Sequence, residues 1–382
     1  MTSLSQVIDT MEQMHQWRNS FNGDQIGYGY DEYSKNKGLI YPEVYAKYAI
    51  GYLFLYKQTE NDEYLRLCRD ALQWLKNNTS PYYNDYCWGL PFDFDGVPVN
   101  GPYLLTTSFC GHAFLDYYEY SNDSTYLNIA ESAMNWIVDN LFMKIGGNDI
   151  LCYSPYDGDR YFIPNAVSIG LGFLSRVSEY THRDIDPVVK AVLQPLLSSQ
   201  NSKYLWRYST RSPTIDNLHN AYVLEGLWRY WLSYRDPSIL NTITTGTDAH
   251  WKIFFEENGY GRGFLLSDLR DFKEVDLKTM IRDMIVQTAN RFGFLMNKNP
   301  ETRLWGYAAS IRTFTYASYW DKKYLLYALK AHEHVKTTLY NDLGYFYYRS
   351  TEKESYMRHQ AHLFEALSVL GERMTSGSLN YD

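Results

Sequence analysis

The feature that most restricts how this chain can fold is an alternation of two kinds of helix-like segment along its 382 residues. Six stretches are apolar on most sides and rich in small residues. They open at Ile40, Leu104, Ile163, Asp216, Asp276 and Tyr356. A helix that is apolar all round is buried. Between these stretches lie amphipathic ones. Asn61-Asp-Glu-Tyr-Leu opens one and Asn122-Asp-Ser-Thr-Tyr-Leu another. In both, a polar cap precedes apolar residues at i, i+3, i+4 and i+7. Trp320-Asp-Lys-Lys-Tyr-Leu opens a third, weaker relatives start near Arg183 and Arg235, and Leu4 opens the first of the set. Buried helices alternating with half-wet ones predict an all-α (α/α)6 toroid, with an inner ring inside an outer ring. The stretch from Thr302 to Tyr319 breaks the alternation and reads as an insertion or one extra helical pair. No Gly/Ser-rich or Pro-rich linker divides the chain, so residues 1–382 read as one domain.

The long connections all precede the buried segments, so in a toroid they gather at one end. Two of them, around Gly146 to Ser154 and Gly344 to Thr351, read as small β-hairpins at that mouth. Loops on a rigid scaffold are where function usually sits. These are crowded with Tyr, Trp, Asp and Arg, and 38 Tyr outnumber the 36 Lys and Arg. So aromatic a chain is not disordered. With 4 Cys it is no disulfide scaffold. A mean hydropathy of −0.44 and the lack of a long apolar run exclude a membrane-spanning helix. A net charge of −8 argues against a nucleic-acid partner. The N-terminal residues show no basic region followed by an apolar one, which leads us to expect a cytoplasmic protein with reduced thiols.

Some motifs are familiar. Trp88-Gly-Leu-Pro-Phe-Asp93, Thr107-Ser-Phe-Cys-Gly-His112 and Asp216-Asn-Leu-His-Asn-Ala-Tyr-Val-Leu-Glu225 resemble motifs of a bacterial family associated with capsule and exopolysaccharide biosynthesis. So do Gly344-Tyr-Phe-Tyr-Tyr-Arg349 and Tyr356-Met-Arg358. The resemblance runs from about Trp88 to Leu370. It implies an (α/α)6 toroid related to carbohydrate-active toroid enzymes, without a settled reaction.

Candidate residues cluster where buried segments begin. Tyr153, Asp157, Asp159, Arg160 and Asn165 combine phenol, carboxylates and a guanidinium, which can bind a carboxylate bidentately. Asp216 can cap a helix, but Asn217 and His219 are polar where burial makes polarity costly. Tyr356, Arg358 and His362 open the last segment, with Arg358 and His362 on one face and His359 turned elsewhere as ordinary surface. Trp88 and Asp93 are candidates to hold a sugar, ahead of His112. Asp276, Lys278 and Arg282 repeat the pattern of charge at a buried start.

Three functions are expected from these residues. The first is proton abstraction from an acidic, uronate-bearing oligo- or polysaccharide, as a C5-epimerase or a lyase. His219, Asp216, Tyr153 and His112 would be its catalytic groups, and Trp88, Asp93, Asp157, Asp159, Arg160, Asn165, Asn217, Tyr356, Arg358 and His362 its substrate-binding groups. The second is glycoside hydrolysis by two of Asp93, Asp157, Asp159 and Asp216. The third is glycan binding without catalysis. No cofactor or metal is expected. Glycine-rich phosphate loops are absent from the sequence. Cys87, Cys110 and His112 have the wrong spacing for the zinc set of lanthionine cyclases, and no DxDD or DDxxD cluster points to a terpene cyclase.

Overall fold

The computed structural model describes residues 2–22, 25–30, 32, 37–212, 214–266 and 301–377. Among them are twelve α-helices: α1 (Leu4–Asn22), α2 (Pro42–Thr59), α3 (Asp62–Asn77), α4 (Leu104–Ser121), α5 (Ser124–Leu141), α6 (Pro164–Val177), α7 (Asp186–Ser198), α8 (Asn217–Tyr234), α9 (Leu240–Phe254), α10 (Leu304–Ala317), α11 (Lys323–Thr338) and α12 (Met357–Gly377). The helices α2, α4, α6, α8, α10 and α12 pack each against the next, and α12 packs back on α2, closing a ring. Around it, α3, α5, α7, α9 and α11 each lie on the inner helix before them, and α1 lies on α12. This is the (α/α)6 toroid that the alternation predicts.

The fifth inner helix is where expectation and structure part. The stretch set aside as an insertion is α10, and it closes the ring between α8 and α12. Thirteen of its residues are buried, including Trp305, Tyr307 and Arg312. The segment from Asp276, read as the fifth inner helix, lies outside the described residues, as do Asp276, Lys278 and Arg282.

Local sequence explains the repeat. Asn61 and Asp123 cap α3 and α5, accepting bonds from Glu63 N and Thr125 N. Each satisfies an amide that the helix leaves open. The turns from inner to outer helix pass through a left-handed residue at Glu60, Asn122 and Arg235. Inner helices approach closely where glycine allows it. A Cβ on Gly226 of α8 would sit 1.9 Å from the Ser168 carbonyl oxygen of α6.

Among the described residues four two-stranded antiparallel ladders stand at the end where the inner helices begin; the third joins strands on either side of α8 and α9, and the others are hairpins. They are β1–β2 (Tyr28–Tyr30, Lys37–Ile40), β3–β4 (Phe142–Ile145, Asn148–Leu151), β5–β6 (Thr214–Asp216, Phe264–Leu266) and β7–β8 (Tyr340–Asn341, Tyr345–Phe346). The second and fourth are the expected pair. The third fixes Asp216, whose partner across the ladder is Phe264.

The axis of the ring is filled by charge. Lys47 of α2 meets Glu365 of α12 at 2.7 Å, and Arg312 of α10 meets both Glu365 and Glu225 at 3.0 Å. Arg229 adds a contact to Glu225 at 3.3 Å. Charges this deep stand only when paired. No described helix is long and apolar enough to cross a membrane.

Candidate active site at the mouth of the ring

The N-terminal turns of the inner helices surround a two-lobed cavity. The inner lobe, about 90 Å³, is walled by Tyr153, Asn165, Tyr208, Tyr222, Trp305 and Arg358 among others. The outer lobe, about 240 Å³, is walled by Asp216, Thr302, Tyr348 and Arg349 among others. Leu218, His219 and Arg303 stand between them and wall both.

The most ordered chemistry is the pair Asp216–His219. Asp216 is the N-cap of α8, and its Oδ1 accepts from His219 N at 2.9 Å. Its second oxygen lies 2.6 Å from His219 Nδ1. The cap therefore also orients the imidazole, placing a proton on Nδ1 and leaving Nε2 as the basic nitrogen. Burial alone would raise the Asp216 carboxyl, but the His219 charge and hydrogen bonds, with Arg303 nearby, hold it below its usual value. The Tyr208 ring sits edge-on to His219 with centroids 4.5 Å apart.

Two guanidiniums in the same cavity wall face Trp305. Arg358 lies 4.7 Å from the centre of that ring and Arg303 lies 5.2 Å from it. Arg358 is hydrogen-bonded to Glu43, and Arg303 meets Glu32 at 3.3 Å. Glu32 also accepts from His359 Nε2 at 2.7 Å. His359 is thus buried and paired, not the surface residue expected of it. Burial holds its imidazole below the usual value against the pull of Glu32.

Beneath Trp305 and Tyr222 lies His362, stacked on Trp305 at 4.4 Å and 3.3 Å from Tyr222 Oη through Nδ1. Burial, with Lys47 and Arg312 close by, keeps it far below the ordinary histidine value and so neutral. Burial likewise pushes the Tyr153 phenol well up, so it is held protonated. In the wall, Asn165 Oδ1 is buried with no hydrogen-bond partner among the described residues.

The mouth thus brings together Tyr153, Asn165, Asp216, His219 and Arg358 from the expected set, with His362 beneath. Others lie elsewhere. Trp88 is fully buried, its Nε1 donating to Leu75 O at 3.0 Å, so its ring packs the core and offers no sugar platform. Asp93 accepts from Val99 N at 2.7 Å and braces the turn that carries Phe92 and Phe94 into the inner lobe. Asp157 is an exposed partner of Arg160 at 2.9 Å. Asp159 is buried against Ser154 Oγ at 2.6 Å. Asn217 is buried and accepts from Ser310 Oγ at 3.0 Å. Tyr356 stacks on Tyr30 at 5.8 Å. His112 lies deeper, 3.4 Å from Arg176 Nη1, and is kept neutral by burial and four nearby cations.

Sequence reasoning missed Arg303, Trp305, Tyr208 and Glu32. The first two were within reach, since Arg303 precedes its inner helix as Asp216 precedes α8. Burial raises the Cys87 thiol to about 12 and holds the Cys110 thiol well above its ordinary value, which disfavours thiolate ligands. Among the described residues no group of His, Cys, Asp and Glu is arranged to hold a metal.

No protein-family profile matches the sequence, and no curated protein does. Solved structures do resemble the fold. An unsaturated glucuronyl hydrolase specific for heparin superposes with a TM-score of 0.69 at 10% identity, covering 99% of this chain and 98% of that one. A sugar epimerase from a ruminal bacterium gives 0.66 at 15% identity, covering 96% and 98%. A polysaccharide lyase gives 0.63 at 11% identity over 100% of both chains. At such identities the likeness establishes the fold, a helical toroid found among diverse carbohydrate-active enzymes.

Proposed function

We propose that this chain acts on a uronate-bearing glycan, in bacterial surface-polysaccharide metabolism, by removing the proton α to the uronate carboxylate. The observation that carries this reading is the Asp216–His219 pair at the junction of the two lobes, in a cavity that Arg303 and Arg358 also wall. A proton α to a carboxylate is weakly acidic. Its removal needs a positioned base and cations that stabilise charge developing on the carboxylate. His219 Nε2 is the base in this reading, held in its tautomer by Asp216. The guanidiniums of Arg303 and Arg358 face the carboxylate, and Trp305, stacked on His362, backs them against the wall of the lobe.

The protonated Tyr153 suits the acid. Donating to the leaving oxygen would complete an elimination, and donating to the opposite face of the carbanion would complete a C5-epimerisation. Asn165 Oδ1 supplies an acceptor for a sugar hydroxyl.

The hydrolase reading has less support. Of Asp93, Asp157, Asp159 and Asp216, only Asp216 walls the mouth, so no two of them flank a bond there. Binding without catalysis needs only the aromatic walls, and the same experiment separates it. Incubation with a uronate glycan panel in deuterated solvent should give deuterium at C5 or an unsaturated, ultraviolet-absorbing product. Both signals should vanish in His219→Gln. A panel that is bound but never exchanged or cleaved would establish binding alone.

A further inference from the structure

Two segments that wall the inner lobe carry a second cavity on their far side. Ile163 and Asn165 face the lobe, while Arg160, Tyr161 and Phe162 just before them line an outer groove. Likewise Tyr208 faces the lobe, while Thr210 and Arg211 line the groove. Thr210 N donates to Phe162 O at 3.1 Å, so the two segments form one ridge between the cavities. The opposite wall is the β3–β4 turn at Gly146 and Gly147 with the last turns of α7. The groove encloses about 820 Å³, far more than either lobe of the mouth.

Its chemistry is that of an anion site for a sugar. Arg160 and Arg211 both line it in a chain of net charge −8. The Arg211 guanidinium lies 4.1 Å over the Tyr161 ring, and its Nη1 donates to Gly158 O at 3.4 Å. Arg160 donates to Pro155 O at 3.4 Å and pairs with Asp157 at 2.9 Å. That pair is half to fully exposed, and exposed pairs contribute little, so a ligand carboxylate can replace Asp157 at small cost. Among the described lining residues the one carboxylate, Asp149, is answered by Lys144 at 3.7 Å. Gln194, Ser198 and Thr210 add uncharged hydrogen-bonding groups.

We propose that this groove is a distal subsite for an acidic oligosaccharide: it holds flanking uronate residues of a chain whose reacting residue occupies the mouth. The inference rests on the reading of the mouth given above and adds that the substrate is a polymer, gripped by charge outside the reacting residue. Two linked sites on one ligand raise affinity by making the second contact intramolecular.

Calorimetric titration of the full chain with a uronate disaccharide and a uronate hexasaccharide tests it. The hexasaccharide should bind at least about tenfold more tightly, and the advantage should shrink as salt screens the arginines. The double variant Arg160→Ala/Arg211→Ala should reduce the ratio of the two affinities towards one. Ala191→Trp, which fills the groove without changing its charge, should do the same. Equal affinities in the wild type, or an advantage that survives both variants, would overturn the subsite and leave the mouth untouched. A neutral hexasaccharide that binds as tightly would overturn its acidity. Absence of binding by either uronate would overturn the reading of the mouth and this inference with it.

Discussion

The inner helices place charge in two regions that are built from the same residue types and behave differently. Along the axis, Lys47, Glu225, Arg312 and Glu365 are buried and pair chiefly with one another, with Arg229 as a further partner of Glu225. At the mouth, Asp216–His219, Glu32–Arg303 and Glu43–Arg358 are also paired, but His219, Arg303 and Arg358 turn one side to a cavity. The difference is position along the helix. The charges that wall the mouth stand at the starts of inner helices, whereas Lys47, Glu225, Arg312 and Glu365 stand between one and three turns further on and pair across the axis. Axial charge therefore holds the ring together, and charge at the mouth is available to a ligand.

The sharpest way to break this distinction is to remove one partner from each region. Arg312→Met removes the cation that joins Glu225 to Glu365 and leaves each carboxylate with one partner, Arg229 and Lys47 respectively, and breaking a buried ionic network in this way costs up to about 3–5 kcal/mol. Urea denaturation should show that loss, or no folded protein at all. His219→Gln at the mouth should change stability by no more than about 1 kcal/mol, while the rate on a uronate substrate falls by about 10²–10⁴-fold. If Arg312→Met folds normally, or His219→Gln unfolds the chain, the two regions do not divide structure from chemistry as described.

A finer cut separates two roles of one residue. Asp216 is both the cap of α8 and the partner of His219 Nδ1. Asparagine caps a helix about as well as aspartate, but it lacks the charge that stabilises a protonated imidazole. Asp216→Asn should therefore melt within a few degrees of the wild type while losing activity, whereas Asp216→Ala should lose about 1 kcal/mol of stability as well. Thermal melts read beside the deuterium-exchange rate would tell the two roles apart.

The same contrast explains what the sequence revealed. Periodicity exposes which segments are buried, and that was enough for the ring, its outer helices and the end at which the loops gather. It also singled out Asp216, His219, Asn165 and Arg358, which wall the cavity, because polar groups at the start of a buried segment are conspicuous. It could not tell a buried polar residue facing the cavity from one facing a neighbouring helix. Asn217 and His219 are two residues apart, yet one bonds Ser310 in the core and the other faces the mouth. Trp88 stands in a loop of binding-site composition but packs under it. The fifth inner helix was misplaced because α10 carries Thr and Arg among its apolar residues. Arg312 looks wrong for a buried helix until the carboxylates of α8 and α12 are seen beside it. Glu32 was beyond reach, since its partners Arg303 and His359 are far away in sequence.

The smallest effect concerns the histidines of the core, which set how the folded ring responds to acid. Burial lowers His15 and His332 to about 4 and His250 to about 3, with Arg18 adding to the effect at His15. It holds His112 and His362 well below the usual value too. In the unfolded chain each returns to its ordinary value near 6.5. Below that pH the unfolded state takes up protons that the folded state refuses. Stability is therefore full above about pH 6.5 and falls as the pH drops towards the folded values, by about 1.4 kcal/mol per pH unit for each such histidine. The depressed carboxyls, Asp216 and Glu301 in direction and Glu365 at about 2, act lower down. Their contribution is present above the unfolded carboxylate value and is lost only as the pH falls through the folded one. Between pH 6.5 and 5 the histidines thus carry the slope. His250→Gln removes an imidazole that touches Ser310 and lies among Phe254, Phe255 and Phe314. Urea melts at pH 7, 6 and 5 should show this variant losing less stability per pH unit than the wild type, by about one proton's worth. An unchanged slope would mean that His250 is hydrated in the folded ring and that the core is wetter than its packing implies.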